Sequence, residues 1–504
     1  MSAANASAPA RRVALDVLLR VEKGRAFASL ALDAALDRAG LAPRDRALAT
    51  EIAYGVLRWR GRLDWIIGQA AGRPPARIGV PLLCVLRAAA YQLLFLERVP
   101  AYAAVDQAAR QAREAGGARA AGFVNGVLRH IARTRGDVPY PDPARDPAAY
   151  LAAWGSLPRW LAERWVVRLG LQEATALALA CNTTPPVTYV ANALRAAPEE
   201  VRAGLEADLG PVEAGAWAPG CFRAVGPARS PARSDIFPAS DSASALGSAT
   251  GSAVGSPVGA THAVRGGLAF VMDEAAVLPV HLLGLAPGLR LLDACAGGGG
   301  KAAVAAGMMQ GRGLIVALEP RPRALRRLAE ARARLGLGCV HPVRGEAQQA
   351  ADFLRGLDAA PPGGGAFDAV LVDAPCTGLG TLRRHPEIKW RTTPGQVGKL
   401  AGLQRAILHG VAACVRPGGI LVYATCTTEP EENEGTVEAF LAKHPEFRLE
   451  DAGPHLPGPA AALAAKGYLR TWPHRHGVDG FFAARLRRSE GDGAARSPRG
   501  APGR

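Results

Sequence analysis

The chain has 504 residues and carries 60 Lys and Arg against 44 Asp and Glu, a formal net charge of +16. With 49% hydrophobic and 21% charged residues, it has the composition of a folded protein of about three domains, which excludes a disordered or fibrous chain. It contains no apolar run of ~18 residues able to span a membrane and no apolar stretch ahead of its first charges. Its eight cysteines show neither CxxC pairing nor zinc spacing, so a cytoplasmic protein with no metal and no disulfide framework is expected.

The positive charge is concentrated. Residues 1–136 hold 20 Arg and one Lys against ten acids, so +11 of the +16 lies in the first quarter of the chain. GC-rich coding would favour Arg over Lys, but it would not leave one segment short of acids. A basic domain attracts a polyphosphate backbone whatever its sequence. Residues 10–136 read as a helical bundle. Apolar residues recur at helical spacing through Val13–Val21, Ala47–Leu57, Leu82–Leu94 and Val105–Ala112, interrupted at Gly24, Gly40, residues 72–75 and Gly116-Gly117. A proline-rich linker follows at 139–147. Residues 150–225 read as a helical stretch (155–181) and then a small mixed α/β module (187–225). Residues 227–261 are Ser/Ala/Gly/Pro low complexity, expected as a flexible insertion without a core. Between 263 and 487 strands and helices alternate, which predicts a mostly parallel sheet, and 488–504 reads as a disordered tail.

In that last region Leu289–Asp293 is a short apolar strand. A glycine run follows (Ala296-Gly297-Gly298-Gly299-Gly300), then a helical stretch from Lys301, then a strand Leu314–Leu318 that ends at Glu319. Glycines let a ligand approach the backbone at a helix N-terminus, and an acid at the tip of the second strand suits a ribose diol. The phosphate-loop pattern fails, because its first Gly would be Cys295 and its last residue Ala302. The dinucleotide pattern lacks its final Gly. The nucleoside half of S-adenosyl-L-methionine is the third reading, left to the following strands to decide. Those are Cys339–Val343 ending near Glu346, Phe367–Val372 entering Asp373-Ala374-Pro375-Cys376, and Ile420–Ala424 entering Thr425-Cys426. Ligands bind at this edge of open parallel sheets.

Most free cysteines are small buried apolar residues. Cys376 and Cys426 differ, since each directly follows an apolar strand and would face one cleft. Two thiols beside a methyl donor suit methylation at C5 of a pyrimidine. A thiolate adding to C6 makes C5 nucleophilic, and the thiolate must later be expelled. Asp373 could hold the N3 and N4 edge of the base. Spacing alone does not say which cysteine attacks. Exocyclic-amine methylation would favour an Asn/Asp-Pro-Pro-aromatic turn in place of Asp-Ala-Pro-Cys.

VLVDAPCTGLGTLRRHPEIKWR (370–391) and LVYATCTTEPEENE (421–434) strongly resemble motifs of the RNA cytosine-5 methyltransferases. LLDACAGGGGKA (291–302) resembles their cofactor motif and VDGFFAARL (478–486) their closing strands. DRALATEIAYGVLRWRGRLDWII and AAGFVNGVLRHI are similar to the NusB RNA-binding fold. The pairing resembles the bacterial Sun/RsmB type. That resemblance implies a multidomain chain: an all-α NusB-like bundle, a small α/β RNA-binding module, and an α/β Rossmann-like class I methyltransferase domain. It implies action on 16S ribosomal RNA at cytosine 967, with S-adenosyl-L-methionine as cofactor; a monomer with no membrane or metal partner is expected. It places the nucleophile at Cys426 and the product-release cysteine at Cys376. The cofactor residues it implies are Cys295, Ala296, Gly297, Gly298, Gly299, Gly300, Lys301, Glu319, Glu346 and Asp373.

The chain departs from the family pattern in several places. Gly297 and Gly298 replace Ala and Pro of the usual loop, which should loosen it and weaken cofactor affinity by ~1 kcal/mol. Glu346 stands where Asp is usual, Met272-Asp273 where Gln-Asp is usual, and Val190 where an Arg is common. The basic segment Arg383, Arg384, Lys389 and Arg391 is expected to grip the RNA backbone near the target base. Trp390 either stacks on a base or packs. A tRNA cytosine-5 methyltransferase and a non-catalytic ribosome-assembly factor are the competing readings.

Overall fold

The computed structural model describes residues 8–24, 27–224, 261–355 and 367–490. The expected insertion, apart from Thr261, and the tail beyond 490 lie outside the described residues.

Five helices (Ala8–Glu22, Ala28–Ala39, Pro43–Ala71, Val80–Phe95 and Ala101–Thr134) form the N-terminal bundle. They pack on one apolar core that includes Val17, Ile52, Leu86 and Leu128. The glycines act as punctuation for a conformational reason. Gly40 and Gly72 are left-handed C-caps, where a side chain would be strained. Gly116 and Gly117 leave helical geometry in the middle of the last helix and kink it. Three shorter helices (Pro147–Trp154, Arg159–Leu169 and Leu171–Cys181) follow and enclose Trp165.

The small module is a four-stranded sheet. β1 (Thr188–Ala191), β2 (Val212–Ala214) and β3 (Cys221–Ala224) precede the insertion, and β4 (Ala269–Val271) follows it. The strand order is β2-β3-β1-β4, so residues just after the insertion complete this module before the large sheet begins.

The C-terminal region holds β5 (Arg290–Asp293), β6 (Leu314–Leu318), β7 (Val340–Val343), β8 (Phe367–Asp373) and β9 (Val415–Thr425), joined as parallel neighbours. β10 (Phe447–Glu450), β11 (Ala464–Ala465), β12 (Tyr468–Arg470) and β13 (Phe482–Arg488) are antiparallel additions. The path runs β11-β12-β13-β9-β8-β5-β6-β7, with β10 pairing β13. The central strands are apolar throughout because both faces are covered: Leu291, Ile315, Leu371 and Val422 face one core, and Leu292, Val316, Val370 and Tyr423 the other. Each such side chain stabilises the fold by about 2 kcal/mol on burial. The chain runs outward from β5 to β7 and then returns to β8 on the other side of β5. This reversal opens a crevice at the C-terminal ends of β5 and β8. Among the described residues, no helix is long and apolar enough to cross a membrane.

Candidate active site

The glycine loop sits over this crevice. Ala294 N donates to the Leu371 carbonyl and Ala296 N to the Leu318 carbonyl, each at 2.9 Å, which pins the loop to strands on both sides. Gly299 has φ +88° and precedes the helix Gly300–Met308; a β-carbon there would lie 2.4 Å from Leu328 Cδ1. Gly297 has φ +55°, a left-handed conformation, so glycine suits this backbone better than alanine would.

Acidic side chains gather beneath the loop. Asp293, at the end of β5, is buried, and neither carboxyl oxygen has a side-chain or backbone partner within hydrogen-bonding geometry. Burial, and then the charge of Asp373, pushes its pKa up to about 7. Asp373 Oδ2 accepts from Lys301 Nζ at 2.6 Å. Burial would lower the Lys301 pKa, but the Asp373 charge outweighs it and holds the ammonium above its ordinary range. Cys295 lies in the same field, its thiol pushed well up by burial and by Asp293, Asp373 and Glu319. Glu319, buried at the tip of β6, accepts from Arg321 Nε at 2.7 Å and from Arg321 N at 2.9 Å. Glu346 is exposed beyond β7 and accepts from Gln348 at 3.4 Å. An acid-lined crevice under an open glycine turn fits a cationic ligand carrying a ribose.

β8 and β9 are adjacent, with Asp373 opposite Ala424, so the residues that follow them emerge side by side. Cys376 Sγ and Cys426 Sγ are 3.4 Å apart and both residues are buried. The hydrogen bond to Cys426, and then burial, pushes the Cys376 thiol well above its ordinary pKa. Lys301 Nζ also lies 5.4 Å from the centre of the Phe481 ring.

Sequence reasoning missed the support of this pair. Glu432 Oε1 accepts from Thr377 N at 2.9 Å and Gln404 Nε2 at 3.0 Å, and its Oε2 accepts from Thr377 Oγ1 at 2.5 Å. Thr377 Oγ1 is in turn 2.8 Å from Thr427 Oγ1. One buried carboxylate thus ties together the residues that follow each cysteine. Burial pushes the Glu432 pKa up to about 7. In the sequence Glu432 is one acid in the run Glu429–Glu434, and such runs read as solvated.

The basic segment corrects an expectation. Arg383, Arg384 and Lys389 do not face solvent. Arg383 donates to Asp479 at 3.0 Å, and Arg384 to Asp479 at 2.9 Å and Asp273 at 2.6 Å. Lys389 donates to three neutral oxygens in the interior. Arg391 is half-buried with its guanidinium 4.4 Å from the Phe27 ring centre. Trp390 packs, donating from its indole N–H to the Leu57 carbonyl at 2.8 Å. These charges have partners inside the protein because a buried cation is tolerated only when paired or fully hydrogen-bonded, so their role as a phosphate grip is not what the geometry displays. Asp273 stands in the Met272-Asp273 departure. It is one anchor of this network and also caps the helix Glu274–His281. Among the described residues, no group of three or more His, Cys, Asp or Glu side chains is placed to hold a metal.

The parallel sheet with its reversed strand order, its glycine loop and the acids below it define a class I methyltransferase domain carrying a helical N-terminal bundle. Comparison with known proteins agrees. Residues 280–487 match the 16S rRNA methyltransferase RsmB/F family, and residues 8–133 match the NusB family. The chain is 33% identical to the ribosomal RNA small subunit methyltransferase B of Thermus thermophilus, over 95% of this chain and 97% of that protein. It is 38% identical to a Mycobacterium tuberculosis protein named as a methyltransferase, over 95% and 96%. Among solved structures, that of PH0851 superposes with a TM-score of 0.72 at 26% identity, covering 95% of this chain and 98% of that one. The chain belongs to the RsmB/F family of S-adenosylmethionine-dependent rRNA methyltransferases.

Proposed function

We propose that this chain methylates C5 of a cytosine in 16S ribosomal RNA, cytosine 967 being the position the family resemblance implies, through a covalent adduct on Cys426. The observation that carries the reading is the pair of thiols 3.4 Å apart at the ends of β8 and β9, beside the Lys301–Asp373 pair of the cofactor crevice. Relatives named as ribosomal RNA small subunit methyltransferase B support the substrate.

The glycine loop from Cys295 to Lys301, with Glu319 and Asp373, would hold S-adenosyl-L-methionine. Its sulfonium suits this acid-lined floor, and Glu346 would complete the adenosine side. When bound, this cofactor supplies an electrophilic methyl group. The protein's own part is to prepare the base. The Cys426 thiolate adds to C6, forming an S–C6 bond and moving the C5=C6 electron pair onto C5. Asp373, held by Lys301, would bind the N3 and N4 edge of the base and favour its N3-protonated form, which offsets the negative charge that the adding thiolate brings to the ring. Once C5 carries its methyl, transfer of the C5 proton to solvent restores C5=C6 and expels the Cys426 sulfur as its thiolate. Cys376, whose sulfur lies 3.4 Å from that of Cys426, is placed to assist this release.

Tritium release from 16S ribosomal RNA labelled at cytosine C5 tests the reading. Release that depends on S-adenosyl-L-methionine and disappears in Cys426→Ala is expected. Full release by Cys426→Ala would overturn the mechanism.

A further inference from the structure

The segment that follows Cys376 is fastened at both ends. At the near end Gly380 N donates to the Cys426 carbonyl and Gly480 N to the Gly380 carbonyl, each at 2.9 Å. A β-carbon on Gly380 would lie 1.9 Å from the Gly480 oxygen, so only glycine allows this crossing. At the far end the segment is bound to the N-terminal bundle. Trp390 donates to the Leu57 carbonyl, Arg58 donates to the Arg383 carbonyl at 3.2 Å, and Ala28 N donates to Glu387 at 3.2 Å.

Lys389 lies at the centre of this junction and is fully buried. Its ammonium donates to the Arg58 carbonyl at 2.8 Å, the Ser156 carbonyl at 3.0 Å and Asn182 Oδ1 at 2.7 Å. All three hydrogens are used, and the acceptors come from the bundle, from the turn after the helix Pro147–Trp154, and from the end of the helix Leu171–Cys181. None of these acceptors is a carboxylate. An ammonium held by neutral oxygens is expensive to bury, and burial pushes its pKa down to about 7. An apolar side chain would fill the volume more cheaply, so what the ammonium adds is direction: three donors that fix three segments against one loop.

We propose that Lys389 is a positioning residue. It locks the segment 380–391 to the RNA-binding bundle and thereby keeps the loop of Cys376 and the carbonyl of Cys426 in register. The proposal rests on the reading that Cys426 forms the adduct. It gives the fused N-terminal domain a second task, since the surface that holds the RNA also sets the geometry of the thiols that act on it.

The test compares four full-length chains on a 16S ribosomal RNA transcript: Cys376→Ala alone, and Cys376→Ala combined with Lys389→Met, Lys389→Gln or Trp390→Phe. Adduct formation is followed on denaturing gels and S-adenosyl-L-methionine binding by calorimetry. Displacing a reactive group by about 1 Å costs on the order of 100-fold in rate. Adduct formation is therefore expected to fall at least tenfold with Lys389→Met and less with Lys389→Gln, which keeps two donors, while cofactor affinity stays within about twofold. Trp390→Phe removes one anchor of the same segment without emptying its volume, and a smaller slowing is expected. It keeps the comparison valid if Lys389→Met does not fold. Equal adduct rates in all folded chains would overturn the positioning role and leave the covalent mechanism standing. Absence of adduct in Cys376→Ala alone would overturn the mechanism on which the proposal rests.

Discussion

Arg384→Gln separates a structural from an RNA-binding role for the basic segment. Arg384 is buried and donates to Asp479, Asp273 and the Pro186 carbonyl. In its absence Asp273 and Asp479, both buried, would share Arg383 alone, which lies 4.0 Å from Asp273 and 3.0 Å from Asp479. Breaking a buried pair by removing one partner costs about 3–5 kcal/mol, because a charge stays buried without compensation. Urea unfolding followed by circular dichroism should therefore show a loss of that size. RNA affinity measured from 50 to 200 mM salt should show an unchanged slope of log affinity against log salt, since no phosphate contact is removed. A slope reduced by about one unit with stability intact would refute the reasoning and restore Arg384 to the RNA interface.

Gly299→Ala places a β-carbon at φ +88° against Leu328, so a strain of about 1–2 kcal/mol and roughly tenfold weaker S-adenosyl-L-methionine binding by calorimetry are expected. Asp293 has a folded pKa of about 7 against an ordinary value of 3.8, so the folded state binds its proton more tightly; the stability this contributes is present below pH ~4 and is lost as pH rises toward 7. Asp293→Asn should consequently be more stable than the parent chain at pH 8, by about 1–3 kcal/mol in chemical unfolding, with the difference vanishing at pH 4. Equal pH profiles for the two chains would show that the carboxyl does not carry this burden.

How much of this was legible depended on whether the controlling contacts were local. The strands β5, β6, β8 and β9 were readable because a strand covered on both faces is an unbroken apolar run, and the candidate site residues stand directly at their ends. The glycine breaks of the bundle were readable because left-handed caps are set by a single residue. Arg384 was not readable, since its partners Asp273 and Asp479 lie 111 and 95 residues away in sequence and a charged run offers no local sign of burial. Glu432 was hidden for the same reason. β4 looked like the start of the large sheet because the insertion separates it from β1, yet it pairs with β1. The two thiols were expected to face one cleft, and their sulfurs lie 3.4 Å apart in the interior; the buried carboxylate of Glu432 that ties the residues after them together was found only in the folded chain.

The central claim is that one particular sulfur bonds to the base. Cys376→Ala incubated with 16S ribosomal RNA and S-adenosyl-L-methionine, digested with nuclease and protease and mapped by mass spectrometry, measures it directly. The account predicts a methylated cytosine remnant on the peptide containing Cys426 and on no other cysteine peptide. A remnant on a different cysteine, or turnover without any covalent remnant, would contradict it.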